Sequence, residues 1–291
     1  MVEALRYCWR VSVDACYGFV ADDGWAIASH IALSTLMSMF PFLILVTAFA
    51  GFLGAKGLAD EVGRLLLEAW PTQVAAPIAN EVHSVLTEAR SDILTLGALL
   101  AVYFSSSGIE SLRIGLNRAY GISEARGWWL LRLESIGYVL IGVVALLTLA
   151  FLVVLGPLIF FTAVRYLPWL EPLWPIVTFV RFAVASFLLI FALVIVHLWL
   201  PAGRRSLSEI APGVIATLIL WLIAGALFGR YLAEFAATYV TYYAGMASVM
   251  VALVFLYLSA SIFLYGGELN AAIVRMRATR ESAKDTALQG G

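Results

Sequence analysis

Six long apolar runs alternate with polar connectors, at about residues 26–53, 93–112, 136–164, 176–200, 210–231 and 244–270. At about 1.5 Å of rise per residue, each is long enough as a helix to cross a hydrocarbon layer of about 30 Å. The pattern predicts an all-α fold, a polytopic membrane helix bundle with six transmembrane helices in one domain, residues 1–275. A flexible polar tail follows at 276–291. Ahead of the first run, Leu5, Trp9, Val13, Cys16 and Val20 recur at helical spacing. They predict an N-terminal amphipathic helix over Val2–Val20 lying at the membrane interface, ended by Asp22, Asp23 and Gly24. Asp22 or Asp23 is placed to cap the first span.

Within the first run, Ala26–Leu53, the only ionisable side chain is His30. His30, Ser34, Ser38 and Pro41 follow one another at helical spacing and share a narrow sector. Hydrocarbon satisfies neither an imidazole nor hydroxyls, nor the carbonyl that Pro41 deprives of its usual donor. This stripe is therefore expected to face protein or a wet cavity. On the second run, Ser106, Glu110, Arg113 and Asn117 share a face, and Glu110 and Arg113 are spaced to pair. They predict either a structural ion pair at the interface or a polar mouth. On the sixth run, Gly245, Ser248, Ala252, Ser259, Gly266 and Asn270 fall on one face and Tyr257, Ser261 and Glu268 on another. Polar groups on two faces predict a helix enclosed by its neighbours. The Gly225 and Gly229 pair in the fifth run has the spacing that lets helix backbones approach. Between the first two runs, Gly54–Asp92 predicts two short amphipathic helices split at Pro71.

Composition sharpens the class. Of 291 residues, 63% are hydrophobic and 13% charged, well outside the soluble range. The net charge of −1 gives no basic surface for nucleic acid. Arginine and lysine are unevenly distributed: 12 lie at the termini, the second-to-third connector and the fourth-to-fifth turn, and 6 on the other side. The positive-inside rule then places both termini in the cytoplasm. Met1–Gly24 is charged throughout, so the first span is expected to serve as its own insertion signal. Cys8 and Cys16 are too far apart on a helix for a disulfide. His30, His83 and His197 sit on three segments without ligand-spaced carboxylates or cysteines, and no phosphate loop or nucleophile elbow occurs. No metal, cofactor or enzymatic activity is expected.

Four stretches stand out: ASHIALSTLMSMFPF over Ala28–Phe42, GIESLRIGLNRAYG over 108–121, Pro201 with Pro212, Gly213 and Trp221, and Tyr243 through GGELNAA at 266–272. In this order they resemble the YihY/virulence factor BrkB family of bacterial inner-membrane proteins. The chain departs from the family pattern at Ala244, where glycine is usual, and at Phe255, where tryptophan is common. The resemblance implies a six-span inner-membrane protein but no settled activity; the ribonuclease label used for some members looks misapplied. The expected function is a transporter, permease or flippase-like protein for a lipid-like or anionic substrate. A non-transporting envelope protein is the alternative, and a membrane hydrolase is remote. The substrate-path candidates are His30, Ser34, Ser38, Pro41, Ser106, Glu110, Arg113, Asn117, Tyr257, Ser261, Glu268 and Asn270. Membrane lipids are the expected partners, and homo-oligomerisation is left open.

Overall fold

In a computed structural model, residues 2–52, 91–150, 152, 160, 163–243 and 247–289 are described. These residues form helices and turns, with no strand among them. The helices are α1 (Val2–Ala21), α2 (Gly24–Phe52), α3 (Ser91–Ala119), α4 (Trp128–Ala150), α5 (Trp174–Trp199), α6 (Leu207–Tyr243) and α7 (Ala247–Gln289). A short 3₁₀ turn, Pro168–Leu173, leads into α5. Four segments of the described chain are long and apolar enough to cross a membrane: Trp128–Leu149, Pro168–Trp199, Leu207–Leu232 and Val249–Thr279. The two amphipathic helices expected within Gly54–Asp92 lie outside the described residues, apart from the start of α3.

Local chemistry explains where the helices stop. Gly121 takes a φ of 63° beyond the end of α3, and the Ile122 amide bonds back to the Asn117 carbonyl at 2.9 Å. This left-handed glycine stop turns the chain into the connector that carries Glu124 and Arg126. α5 opens on a proline in its first turn, where the missing amide costs nothing. At the start of α6, the Glu209 carboxylate accepts the Ser206 amide at 2.8 Å, a reciprocal cap for the first turn. Asp23 has a φ of 54° between α1 and α2 and sends its carboxylate to Arg118 at 3.0 Å, so the expected capping role gives way to a tie between α2 and α3.

α7 is the hub. It packs against α6, α2, α1 and α3. From Ala260 to Ile273 no residue of it is exposed, so the enclosure expected from two polar faces holds for this stretch, whereas Val249, Met250, Val254 and Phe255 nearer its start are exposed. The main core joins Phe19, Ala28, Ile31, Leu116, Leu193, Leu200, Val214, Ala260, Phe263 and Leu264 from α1, α2, α3, α5, α6 and α7 and the turn after α5. α5 lies at the periphery, with Leu193 and His197 its buried residues. α7 runs on as helix through Gln289 into the polar tail.

Two expectations need correction. His30 is exposed, Ser34 and Pro41 are half-buried, and only Ser38 of that stripe is buried. The stripe does not turn inward as a unit because α3 seats on its edge: Cβ atoms on Gly108 and Gly115 would lie 2.7 Å from the Ser38 hydroxyl and 3.0 Å from Ile31, so Ser38 is covered and His30 on the far side is not. On α1, the face packed against α7 is Val11, Ala15 and Phe19, whereas Trp9, Cys16 and Val20 of the stripe read from spacing are not covered by protein. Second, nothing described approaches within 4 Å of a Cβ at Gly225 or Gly229. The close approach of α6 and α7 occurs instead at Gly213 and Gly266, where added Cβ atoms would collide with the facing backbone and with Thr217. Gly266→Val should therefore lower stability by about 1–3 kcal/mol through overpacking, while Gly225→Val should be near neutral. Thermal unfolding of the two purified variants in detergent checks the contrast.

Candidate functional site

The starts of α2, α4 and α6 and the ends of α3 and α5 meet the late turns of α7 at one end of the bundle. Asp23 reaches Arg118, Arg126 reaches the Leu200 carbonyl, Ala202 reaches Asn117 and Gly213 reaches Asn270. We call this the basic end, because the arginines of both connectors lie here.

Its first component is a charged cluster between α3 and α4. Helical spacing puts Glu110, Arg113 and Asn117 on one face of α3. Arg113 is 3% exposed; its guanidinium donates to Glu110 at 3.2 Å, to the Leu131 carbonyl at 3.2 Å and to the Ser135 hydroxyl at 3.3 Å. The other oxygen of Glu110 accepts Arg132 from α4 at 2.6 Å. Arg132 also donates to the Tyr103 carbonyl at 2.6 Å and lies 3.8 Å above the Tyr103 ring. Ser106 donates to the same carbonyl at 2.6 Å. One carboxylate thus bridges two buried guanidiniums, and backbone and hydroxyl oxygens take up further donors, the arrangement that lets charge be withdrawn from water.

The connector continues this cluster. Glu124 accepts Arg126 side-chain nitrogens at 2.8 Å, the Arg126 amide at 3.1 Å and the Asn117 amide at 3.1 Å. Arg126 in turn reaches Glu134 at 2.8 Å. The hydrogen bonds from Arg126 hold the Glu124 carboxyl down at about 2, against an ordinary 4.5. The same bonds raise the Arg126 guanidinium.

The second component lies on α7. Asn270 is 1% exposed; its oxygen accepts the Gly213 amide at 2.7 Å and its nitrogen donates to the Tyr120 hydroxyl at 3.2 Å. Arg205 stacks on the Tyr120 ring at 3.9 Å and donates to the Ala202 carbonyl at 2.9 Å. Glu268 is 2% exposed, with Arg275 at 4.0 Å and the Asp22 carboxyl beside it. Ser261 donates to the Tyr257 carbonyl at 2.8 Å, and the Tyr257 ring stacks on Trp25 with centroids 6.4 Å apart.

The twelve expected path residues therefore do not form one line. Ser34, Ser38 and Pro41 lie along α2, with Ser38 in the α2–α3 seam. Glu110, Arg113 and Asn117, with Ser106, belong to the α3–α4 cluster, and Tyr257, Ser261, Glu268 and Asn270 to α7. His30 stands apart on the surface. Asn117 and Asn270 are joined through the turn after α5, by way of Ala202, Arg205 and Tyr120. Two clefts open there, of about 640 Å³ and about 360 Å³, sharing Ile122, Arg204 and Arg205. Of the twelve residues, Asn270 alone lines either cleft.

Spacing did not single out Glu124, Tyr120, Arg205 or His197. The short connector between Gly121 and Trp128, with two opposite charges, was a signal for Glu124 and Arg126. His197 is fully buried; Nδ1 lies 3.0 Å from the Leu193 carbonyl, and the ring meets Phe263 edge-on at 4.8 Å. A carbonyl only accepts, so Nδ1 carries the proton and Nε2 is left as a bare acceptor with no partner. No group of three or more His, Cys, Asp or Glu among the described residues is arranged to hold a metal ion.

The lowered Glu124 carboxyl gives a pH prediction. Its stabilisation is fully present above the ordinary carboxylate range and is lost as pH falls through about 2. Melting temperature in detergent should drop across that acid window. In Glu124→Gln the neutral-pH melting temperature should be lower and the acid limb shallower, as read by scans at fixed ionic strength.

Comparison with known proteins adds four findings. The chain is 25% identical over 255 residues to YfkH of Bacillus subtilis (strain 168), described as ribonuclease-like, covering 88% of this chain and 92% of that protein. It is 26% identical over 264 residues to the UPF0761 membrane protein RC1_0578 of Rhodospirillum centenum, covering 89% of this chain but 56% of that longer protein. No solved structure matches the chain. Residues 15–289, which contain both halves of the charged cluster and all of the α7 polar groups, match the family described as Virulence factor BrkB, and the chain belongs to that family.

Proposed function

We propose that this is a six-span protein of the bacterial cytoplasmic membrane, with both termini in the cytoplasm, that acts as a permease or flippase-like carrier of an amphiphilic or anionic substrate. α2 and α3 supply the two spans beyond the four long apolar segments. α2, of 29 residues, bears His30 as its one ionisable side chain. The gathering of connector arginines at one end supports a cytoplasmic placement of that end.

One observation carries the transport reading. Ser105 Oγ on α3, His197 Nε2 on α5 and Thr217 Oγ1 on α6 are buried without a hydrogen-bond partner among the described residues, and the buried Glu268 carboxyl on α7 has another carboxyl, Asp22, beside it. Inside a membrane bundle such groups are costly unless water or a polar ligand reaches them. Their spread over four helices favours a wet interior over local packing. No chemical step belongs to this reading, and the ribonuclease-like description of one relative is not carried over to it.

A second reading, a non-transporting envelope protein, is favoured by the saturation of the α3–α4 cluster. There Glu110, Arg113, Glu124 and Arg126 have partners on neighbouring elements, as glue would.

Two measurements separate these. With purified protein in liposomes, fluorescent phospholipid should become accessible to an external quencher faster than in protein-free vesicles. Glu268→Gln should assemble with an unchanged melting temperature and slow that flux by about tenfold, as expected for loss of a functional ionisable group in the bundle. A variant that unfolds with no separable flux defect, or wild-type vesicles no faster than empty ones, supports the envelope reading. For topology, Cys8 is exposed on α1. A membrane-impermeant maleimide should label it in inverted vesicles and spare it in intact spheroplasts.

A further inference from the structure

Most arginines at the basic end are neutralised. Arg113, Arg118, Arg126, Arg132 and Arg275 each have a carboxylate within 4.0 Å. Arg204 and Arg205 are different. Neither has a described carboxylate at that range, and both line the two clefts where these meet. Arg205 is half-buried, and burial holds its guanidinium below its ordinary value. Its Nη1 is buried with no hydrogen-bond partner. Its face lies on Tyr120, which fixes the plane of the fork. The neighbouring Glu209 lines the smaller cleft, accepts the Ser206 amide at 2.8 Å and acts on Arg205 only from beyond ion-pair range. Two guanidiniums on one turn, one held in place by an aromatic ring and neither in an ion pair with a described carboxylate, make a receptor for an oxyanion.

The surroundings say which oxyanion. The turn bearing both arginines joins segments that end at Trp199 and begin at Leu207, so it sits where apolar helix gives way to polar chain. Trp199 is exposed beside the cleft, and Leu198, Ile122 and Val274 supply apolar walls. Tryptophan and arginine at this depth match the head-group layer, and basic pockets between helices there suit anionic head groups. The outer surface of α5, largely exposed and apolar, offers a track for acyl chains.

We propose that the joined clefts at Arg204 and Arg205 bind a phosphate group, supplied by the head group of an anionic phospholipid. Arg204 and Arg205 grip the phosphoryl oxygens, and Trp199 and Ile122 contact the glycerol and upper chains. The site rests on the membrane placement of these helices and not on transport. A bound lipid here ties the turn after α5 to the end of α3 whether or not anything crosses the bilayer.

The test uses the full chain, delipidated in dodecyl maltoside, and reads binding by native mass spectrometry and thermal shift, with no flux measurement. The probes are dioleoylphosphatidylglycerol, dioleoylphosphatidylcholine and inorganic phosphate. Phosphatidylglycerol should bind about tenfold or more tighter than phosphatidylcholine, reflecting its uncompensated charge. Arg204→Gln/Arg205→Gln should lose that preference, while Arg6→Gln/Arg10→Gln, which removes two exposed charges on α1, should keep it. Arg204→Gln alone, at an exposed position with no partner to lose, serves if the double variant does not fold. Inorganic phosphate binding that depends on the two arginines, without selective phosphatidylglycerol binding, keeps the oxyanion site and moves its source to a soluble phosphate. Equal binding of both lipids with no phosphate binding overturns the proposal. So does phosphatidylglycerol binding that survives loss of the arginines.

Discussion

A buried serine can return its hydroxyl to its own helix, but a buried asparagine has more groups to satisfy, and at the basic end two asparagines find partners off their own helices. Each carboxamide spends its oxygen on a backbone amide from a distant part of the chain: Asn117 on Ala202 and Asn270 on Gly213, both at 2.7 Å. Each spends its nitrogen on a side chain, Glu124 or Tyr120. A carboxamide offers two donors and an acceptor in one rigid plane, so these bonds fix relative depth and rotation together. Asn117 sets α3 against the turn after α5, and Asn270 sets α7 against α6. The Gly213–Gly266 approach follows from the second bond, since Asn270 reaches the Gly213 amide only if the backbones come close.

Charge is layered on this frame in two ways. Between α3 and α4 it is balanced locally, and carbonyls of Tyr103 and Leu131 absorb guanidinium donors that carboxylates leave over. A balanced, hydrogen-bonded cluster costs less to bury than an isolated ion, yet it contributes little net stability compared with apolar packing. What it supplies is register: the fork of Arg132 meets Glu110 and the Tyr103 carbonyl in one arrangement of α4 against α3. Around the 201–206 turn Arg204 and Arg205 have no described carboxylate in ion-pair range, Glu209 acting on Arg205 only from further off, and the turn is tied down by Asn117 and Arg126.

Much of this frame is legible along the chain. Apolar run length gives the helices, and a 3–4 spacing places Glu110, Arg113 and Asn117 on one face before any partner is known. Polar residues on two sides of the last helix forecast its enclosure. What spacing does not carry is the identity of the covering helix. His30 and Ser38 share a broad sector of α2, but α3 seats on the edge that carries Ile27, Ile31 and Ser38, so one side of the stripe is packed and the other is not. Gly225 and Gly229 have the spacing of a contact motif without a neighbour. Gly213 and Gly266, 53 residues apart, form the contact without any local signal. Trp9 and Val20 on α1 belong to an apolar stripe that the protein does not cover, while Val11, Ala15 and Phe19, a second stripe on the same helix, pack on α7. A hydrophobic period shows that a face is apolar and is silent on whether protein or lipid meets it.

Unequal burial decides where this bundle can move cheaply. α7 is enclosed from Ala260 to Ile273 and bonded to α6 through Asn270, so displacing it would expose the buried carboxylate of Glu268 and break the closest backbone approach in the described core. α5 buries little beyond Leu193 and His197, and its covalent ends are a proline-rich turn and the 201–206 segment. Elements with few buried contacts open at lower free energy than those at the centre of a core. His197 on this loosely held helix presents its bare Nε2 to the interior, and Arg205 lies just past its end. A shift of α5 would therefore uncover a polar interior atom and alter the arginine cleft in the same movement. This couples the bundle interior to the head-group layer through one helix, without asking the asparagine-locked helices to give way.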